Sequence, residues 1–375
     1  MEPSDCSQES STQVRFILRE IVRKDISQER KKQREAALVG RRHIQDYGFD
    51  GEKLKPSDIE ALAVRLKKKQ GGREGCYKDL YSLQSALSYS GKINGAAFVK
   101  VDGAIAALVR DVSGKDSSLQ VRATYCCANL ALAGPDIGFK VSKAVVPYLM
   151  NHLQSMNQIL LEASLRAIGS LAASGVQAYK VMEVQGIFQR LISIMQQYCL
   201  SSDLKLASGE KRKVKLQSYQ VMEAALYAAS HCVNTCLQDN PKLPEIGEIA
   251  MVSIPLLRKV DSLALPRLVY LYFLISCSEV SDGAFLNEDF LLKMILLLDE
   301  TLMVETEVHN ELKTQGLTVE VITFIVRILG NLSCSDVEWV NGALHVHDCP
   351  WSPIVDPLKL CIEQEVIANA SNSMY

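Results

Sequence analysis

Apolar residues recur at helical spacing along most of the chain, interrupted by Gly and Pro, and alternating strand patterns are sparse. The segment Phe98-Val-Lys-Val-Asp-Gly-Ala-Ile-Ala-Ala-Leu108 lines up with Phe139-Lys-Val-Ser-Lys-Ala-Val-Val-Pro-Tyr-Leu149 at an offset of 41. A third copy runs from Tyr179 to Leu191, and Leu191 lies 42 residues beyond Leu149. The helix before each copy repeats as well. Leu119–Gly134 matches Leu160–Gly175, again offset by 41, with Leu130 on Leu171 and Gly134 on Gly175.

A period near 41, built from one long helix rich in small residues, a Gly break and a second apolar helix, is the pattern of armadillo and HEAT solenoids. Each unit has two apolar faces that it cannot bury alone, so neighbours stack. Small residues are needed where helices approach most closely, and Ala128, Ala131, Ala167, Gly169, Ala172, Ala228 and Ala229 fit that need. Weaker copies put long helices over Tyr219–Thr235, Pro266–Ser276 and Val319–Ser333, and a second-type helix over Leu291–Leu302. The charged stretch Ser201–Lys215 reads as an inter-repeat loop. The expected fold is all-α, a right-handed superhelical armadillo/HEAT solenoid over residues 72–336. A basic arm at 1–71, containing a basic helix, precedes it, and an irregular Pro-containing tail at 337–375 follows.

Composition adds a charge asymmetry. The 375 residues carry 41 Lys+Arg against 43 Asp+Glu, and 48% are hydrophobic, which excludes a disordered or fibrous chain. Residues 1–75 hold 17 Lys+Arg and 13 Asp+Glu, a net of +4, and the remainder a net of −6. A basic arm therefore precedes an acidic body.

Eleven Cys are scattered, several of them within apolar runs, as in a reduced cytosolic or nuclear protein. The opening Met-Glu-Pro-Ser-Asp lacks the order of a secretory signal. A spanning helix needs ~20 mostly apolar residues. Leu263–Cys277 is the best candidate, but Pro266 and Arg267 interrupt it, which favours a buried helix over a membrane span.

Residues 15–42 contain ten Lys+Arg and four Asp+Glu, with the run Arg30-Lys-Lys-Gln-Arg34 and the pair Arg41-Arg42. Three readings stay open on composition: a solvated charged helix, a localisation-type or nucleic-acid patch, and an arm read by a transport receptor. A basic arm ahead of an armadillo array resembles importin alpha. The closer resemblance is to the transmembrane and coiled-coil domain-containing protein six family, an importin-alpha-like group. It rests on Arg34-Glu-Ala-Ala-Leu38, Ile275-Ser-Cys-Ser-Glu-Val-Ser281 and Met294-Ile-Leu-Leu-Leu-Asp299. The resemblance implies that Arg30, Lys31, Lys32, Arg34, Arg41 and Arg42 contact importin beta. It also implies that basic-signal cargo lies in the solenoid groove.

Importin-alpha grooves set a Trp and an Asn four residues apart on the inner helix, slotting cationic side-chain stems and clamping the ligand backbone, and here Tyr stands in the Trp position. The match here is Tyr125 and Asn129. The corresponding pair in the next repeat is Arg166 and Ser170, and near the end it is Arg327 and Asn331. An Arg in the slot position repels a basic peptide. Tyr125 and Asn129 also read as a packed aromatic and a helix-terminal Asn.

Catalytic and metal motifs are set aside. His345-Val-His347-Asp-Cys349 with Cys361 matches no structural zinc spacing, and His231, Cys232 and Cys236 sit in an apolar helix as core. No nucleophile elbow or phosphate loop occurs. No cofactor, metal or nucleic-acid ligand is expected. The chain reads as a non-catalytic adaptor for protein import, cytoplasmic and nuclear, with a cytoplasmic or membrane-bound interaction scaffold as the alternative.

Overall fold

The computed structural model describes residues 54–335, except 202–209, 241, 259, 261–263, 279–281 and 308–311. The described residues all belong to one compact unit. The arm residues Arg30, Lys31, Lys32, Arg34, Arg41 and Arg42, the tail 337–375 and its His345/His347/Cys349 cluster lie outside the described residues.

Among the described residues the regular elements are helices, without a strand. They run α1 Pro56–Lys68, α2 Gly72–Tyr89, α3 Gly91–Lys100, α4 Ala104–Val112, α5 Ser117–Leu130, α6 Pro135–His152, α7 Gln158–Ala172 and α8 Val176–Glu183. Beyond these come α9 Ile187–Ser201, α10 Glu210–Asp239, α11 Pro244–Ser253, α12 Leu265–Ile275, α13 Asp282–Phe285, α14 Glu288–Glu307 and α15 Leu312–Ser335.

The helices form two layers. In the inner layer α2, α5, α7, α10, α12 and α15 each pack on the next, and outside them α1, α4, α6, α8, α9 and α11 stack in the same order. Contacts between neighbours carry the core, so the fold is an all-α solenoid of the armadillo/HEAT kind.

The 41-residue period has local causes. Asp116 and Asn157, 41 apart, cap α5 and α7 by accepting the second and third amides of each helix, from Ser118 and Leu119 and from Ile159 and Leu160. Gly134 and Gly175, also 41 apart, precede α6 and α8 with φ/ψ of 128°/169° and 149°/167°, a region essentially restricted to glycine. Gly169 meets a different need: a Cβ there would lie 2.5 Å from the Tyr227 ring, so α7 and α10 touch because position 169 has no side chain.

Helix α12 shows what the apolar run at 263–277 is for. Leu268 through Ile275 are all buried between α10 and α15, and a helix apolar on every side belongs in a core. Tyr272 stacks edge-on against Phe285 and Phe290 and donates its hydroxyl to the Ser253 carbonyl at 2.7 Å. No helix of the described residues is long and apolar enough to cross a membrane.

Two boundaries differ from expectation. Helix α1 lies within the segment assigned to the arm, yet it packs on α2, α3 and α4 and buries Ile59, Leu62, Ala63 and Leu66. The Lys67-Lys-Lys69 run hides the apolar face that makes it the outer helix of the first unit, so the array starts at Pro56 rather than 72. In the stretch 201–215, residues 210–215 are helical and open α10. Only 202–209 of that proposed loop remain, and those lie outside the described residues.

Candidate functional site

The inner helices carry a polar stripe that runs from one to the next. On α5, Arg122 lies 4.8 Å from the Tyr81 ring centre and 5.6 Å from that of Tyr77, both on α2. It donates to the Tyr77 hydroxyl at 3.2 Å and to Gln84 Oε1 at 3.1 Å. One turn further along α5, the Tyr125 hydroxyl donates to Glu162 Oε2 on α7 at 2.5 Å. Glu162 Oε1 accepts from Arg166 Nε, and Arg166 Nη2 reaches Glu223 Oε2 on α10 at 2.6 Å. Arg267 on α12 donates from Nε to the other Glu223 oxygen at 3.2 Å and lies 5.2 Å from the Tyr227 ring centre. Tyr125, Glu162, Arg166, Glu223 and Arg267 thus form one connected chain across four consecutive inner helices.

Burial sharpens this chain. Arg166, Glu162, Glu223 and Arg267 keep 25%, 15%, 20% and 17% of their side-chain surface exposed. Burial alone would lower the Arg166 pKa, but Glu223 and Glu162 outweigh it and hold the guanidinium above its ordinary value. Burial raises the Tyr125 phenol, and the Glu162 charge raises it further, so Tyr125 remains a donor.

The residues expected in the groove occupy three kinds of place. Tyr125 is on the stripe, bonded to Glu162. Asn129 is buried, and its Nδ2 donates inward to Ser88 Oγ at 2.7 Å and to the Gln84 carbonyl at 3.1 Å. Asn331 is half-buried and donates to Ser276 Oγ at 2.9 Å and to Cys277 Sγ at 3.5 Å. Ser170 shares a 3.1 Å hydrogen bond with the Tyr227 hydroxyl. The Asn/Ser column therefore ties inner helices to one another, and its amide nitrogens are spent on that. Arg166, expected as an unopposed positive charge, is held between two carboxylates. Arg327 lies 5.8 Å from the Phe273 ring centre, the same cation-on-aromatic contact that Arg122 and Arg267 make with the preceding inner helix.

Sequence reasoning missed Glu162, Glu223, Arg267, Tyr77 and Tyr81. The signal for the first was local, since Glu162 precedes Arg166 by one helical turn. At the N-terminal end of the stripe, Tyr77 borders an open cleft of about 440 Å³ between the starts of α2 and α5, whose walls carry the Arg73–Asp116 ion pair.

His231 is buried in α10 with its ring 4.4 Å from that of Tyr227, edge to face, and Cys232 and Cys236 are buried on the same helix. Among the described residues no three His, Cys, Asp or Glu side chains are grouped to hold a metal ion.

No protein-family model matches the chain, and no curated protein matches it. Solved structures do. An engineered protein is similar at 17% identity with a TM-score of 0.52, over 72% of this chain and 97% of its own. A designed armadillo repeat protein aligns at 14% identity and a TM-score of 0.49, over 71% of this chain and 99% of its own. Another, in complex with a (KR)4 peptide, aligns at 13% and 0.47, over 72% and 99%. The likeness to the first is one of fold alone. It covers most of the array and agrees with the two stacked helix layers: this chain is an all-α helical solenoid.

Proposed function

We propose that this chain is a non-catalytic interaction scaffold that receives an extended segment of a partner protein along its inner helices. The supporting observation is the partly exposed stripe Tyr125–Glu162–Arg166–Glu223–Arg267, which offers hydrogen-bonding groups at the spacing of successive helices rather than converging on one reacting centre. Such a row suits an extended main chain.

The test is a benzoylphenylalanine photocrosslinker placed at Tyr77, beside Arg122 on the inner layer, and separately at Tyr148 on the outer helix α6. Partner protein crosslinks from Tyr77. Crosslinking from Tyr148 alone, with none from Tyr77, overturns the reading.

An import adaptor is the more specific form of this reading, and the arm supports it. With ten Lys+Arg against four Asp+Glu over 15–42, Arg30, Lys31, Lys32, Arg34, Arg41 and Arg42 suit an acidic receptor surface such as that of importin beta. Reversing the charges at Arg30, Lys31, Lys32 and Arg34 abolishes receptor binding on this account. Absence of binding by the native chain at low salt removes the import role and leaves the scaffold. The engagement of Glu162 and Glu223 by the chain's own arginines weighs against a basic cargo between α5 and α12.

A further inference from the structure

We propose that the segment received between α5 and α12 is acidic. This inference rests on the scaffold reading and adds the chemistry of the partner.

The argument is a balance of donors and acceptors. Both oxygens of Glu223 accept from arginines, and the two oxygens of Glu162 accept from Arg166 and Tyr125. The two carboxylates together use four of their roughly eight acceptor lone pairs, so about four remain. Each guanidinium has five N–H donors; Arg166 uses Nε and Nη2 and Arg267 uses Nε alone, so about seven of ten remain. What the stripe has in excess is donors, held on planar cations that are only 25% and 17% exposed.

Charge points the same way. The charged side chains of α5, α7 and α12 are Arg122, Glu162, Arg166 and Arg267. On α10, Glu223 meets them, while Asp239 at its far end pairs with Lys180. Three arginines thus face two glutamates that are already engaged. The aromatic rings already carry cations of the chain's own: Arg122 lies against Tyr77 and Tyr81, and Arg267 against the buried Tyr227. A basic peptide meets carboxylates already bonded to arginine and rings already flanked by a cation. An acidic side chain finds guanidinium donors whose surroundings exclude much of the competing water, where charge-assisted hydrogen bonds are strongest.

Binding of fluorescein-labelled peptides of alternating Glu and Ala, Gln and Ala, or Lys and Ala to the full-length chain, followed by anisotropy, tests this. The Glu peptide binds tightest and the Lys peptide weakest, and added salt weakens the Glu complex. The R166Q/R267Q double variant loses the Glu peptide by about ten-fold or more. Its circular dichroism and melting curve show whether it still folds. Glu223→Gln is the second variant: it removes a competing carboxylate while keeping both guanidinium groups, so affinity for the Glu peptide rises. A merely structural network predicts that it falls or stays.

A Lys peptide that binds as tightly as the Glu peptide, no binding of the Glu peptide, or an affinity unmoved by all three substitutions overturns the inference. Crosslinks from Tyr77 to basic or neutral segments also overturn it while leaving the scaffold intact. Absence of any crosslink from Tyr77 overturns the scaffold reading itself.

Discussion

Asn129 on α5 donates its amide nitrogen to the Ser88 hydroxyl on α2 at 2.7 Å, and Asn331 on α15 repeats the bond with Ser276, just beyond α12, at 2.9 Å. The first and last inner pairs are joined by the same chemistry, although the sequence separations are 41 and 55 residues. Because Asn129 is fully buried and also bonds the Gln84 carbonyl, Asn129→Ala removes two buried hydrogen bonds between α5 and α2 and costs about 1–3 kcal/mol. Asn331→Ala, half-buried, costs less. Chemical unfolding of the two variants checks the order.

The recurrence also shows how far the sequence could be read. Repetition at 41 marks α5 with α7, the Gly breaks before α6 and α8, and the small residues at the close contacts, because packing demands them at the same place in every unit. The charge partners follow no such rule. Arg166 and Glu223 are 57 residues apart but Arg267 and Glu223 are 44 apart, so the interval between partners is not constant from one inner helix to the next. A period read from apolar residues cannot supply that register. Helix α1 escaped for another reason: its lysines dominate its composition, whereas its place is decided by Ile59, Leu62 and Leu66.

Glycines at two places give opposite outcomes. Gly169→Ala drives a methyl group into the Tyr227 ring and destabilises by about 1–3 kcal/mol. Gly330→Ala, on α15 with nothing within 4 Å of the added methyl, stabilises by about 0.5–1 kcal/mol through helix propensity. Melting temperatures that move in the same direction for both contradict the close approach of α7 and α10.

His152 gives the array a pH dependence. Burial lowers its pKa below the ordinary 6.5, and its Nδ1 has no partner among the described residues. The folded state then binds fewer protons than the unfolded chain once the pH falls below about 6.5, so acidification through that range destabilises the fold. His152→Gln removes this part of the slope. Unfolding free energies of both proteins between pH 7.5 and 5 measure it, and identical slopes refute the assignment.

The thiols fall into an order of reactivity. Cys277 is exposed and Cys199 half-buried, whereas Cys126, Cys127 and Cys232 are buried, with burial pushing the Cys127 thiol up to about 12. Among the described thiols, iodoacetamide at neutral pH therefore modifies Cys277 first and leaves these three buried ones unmodified in the native chain. Peptide mass spectrometry over time reads the order, and early labelling of Cys127 contradicts the packing of α5.

Bonding between neighbours has a consequence for how the molecule is made. The Asn129–Ser88 and Asn129–Gln84 bonds, the capping of α5 by Asp116 and the covering of Tyr77 and Tyr81 by Arg122 all close within residues that leave the ribosome early. Nothing these first units need is contributed by α12 or α15. Synthesis and stacking can proceed in step, each new inner helix finding its template already in place, so that a long chain never has to wait for its far end.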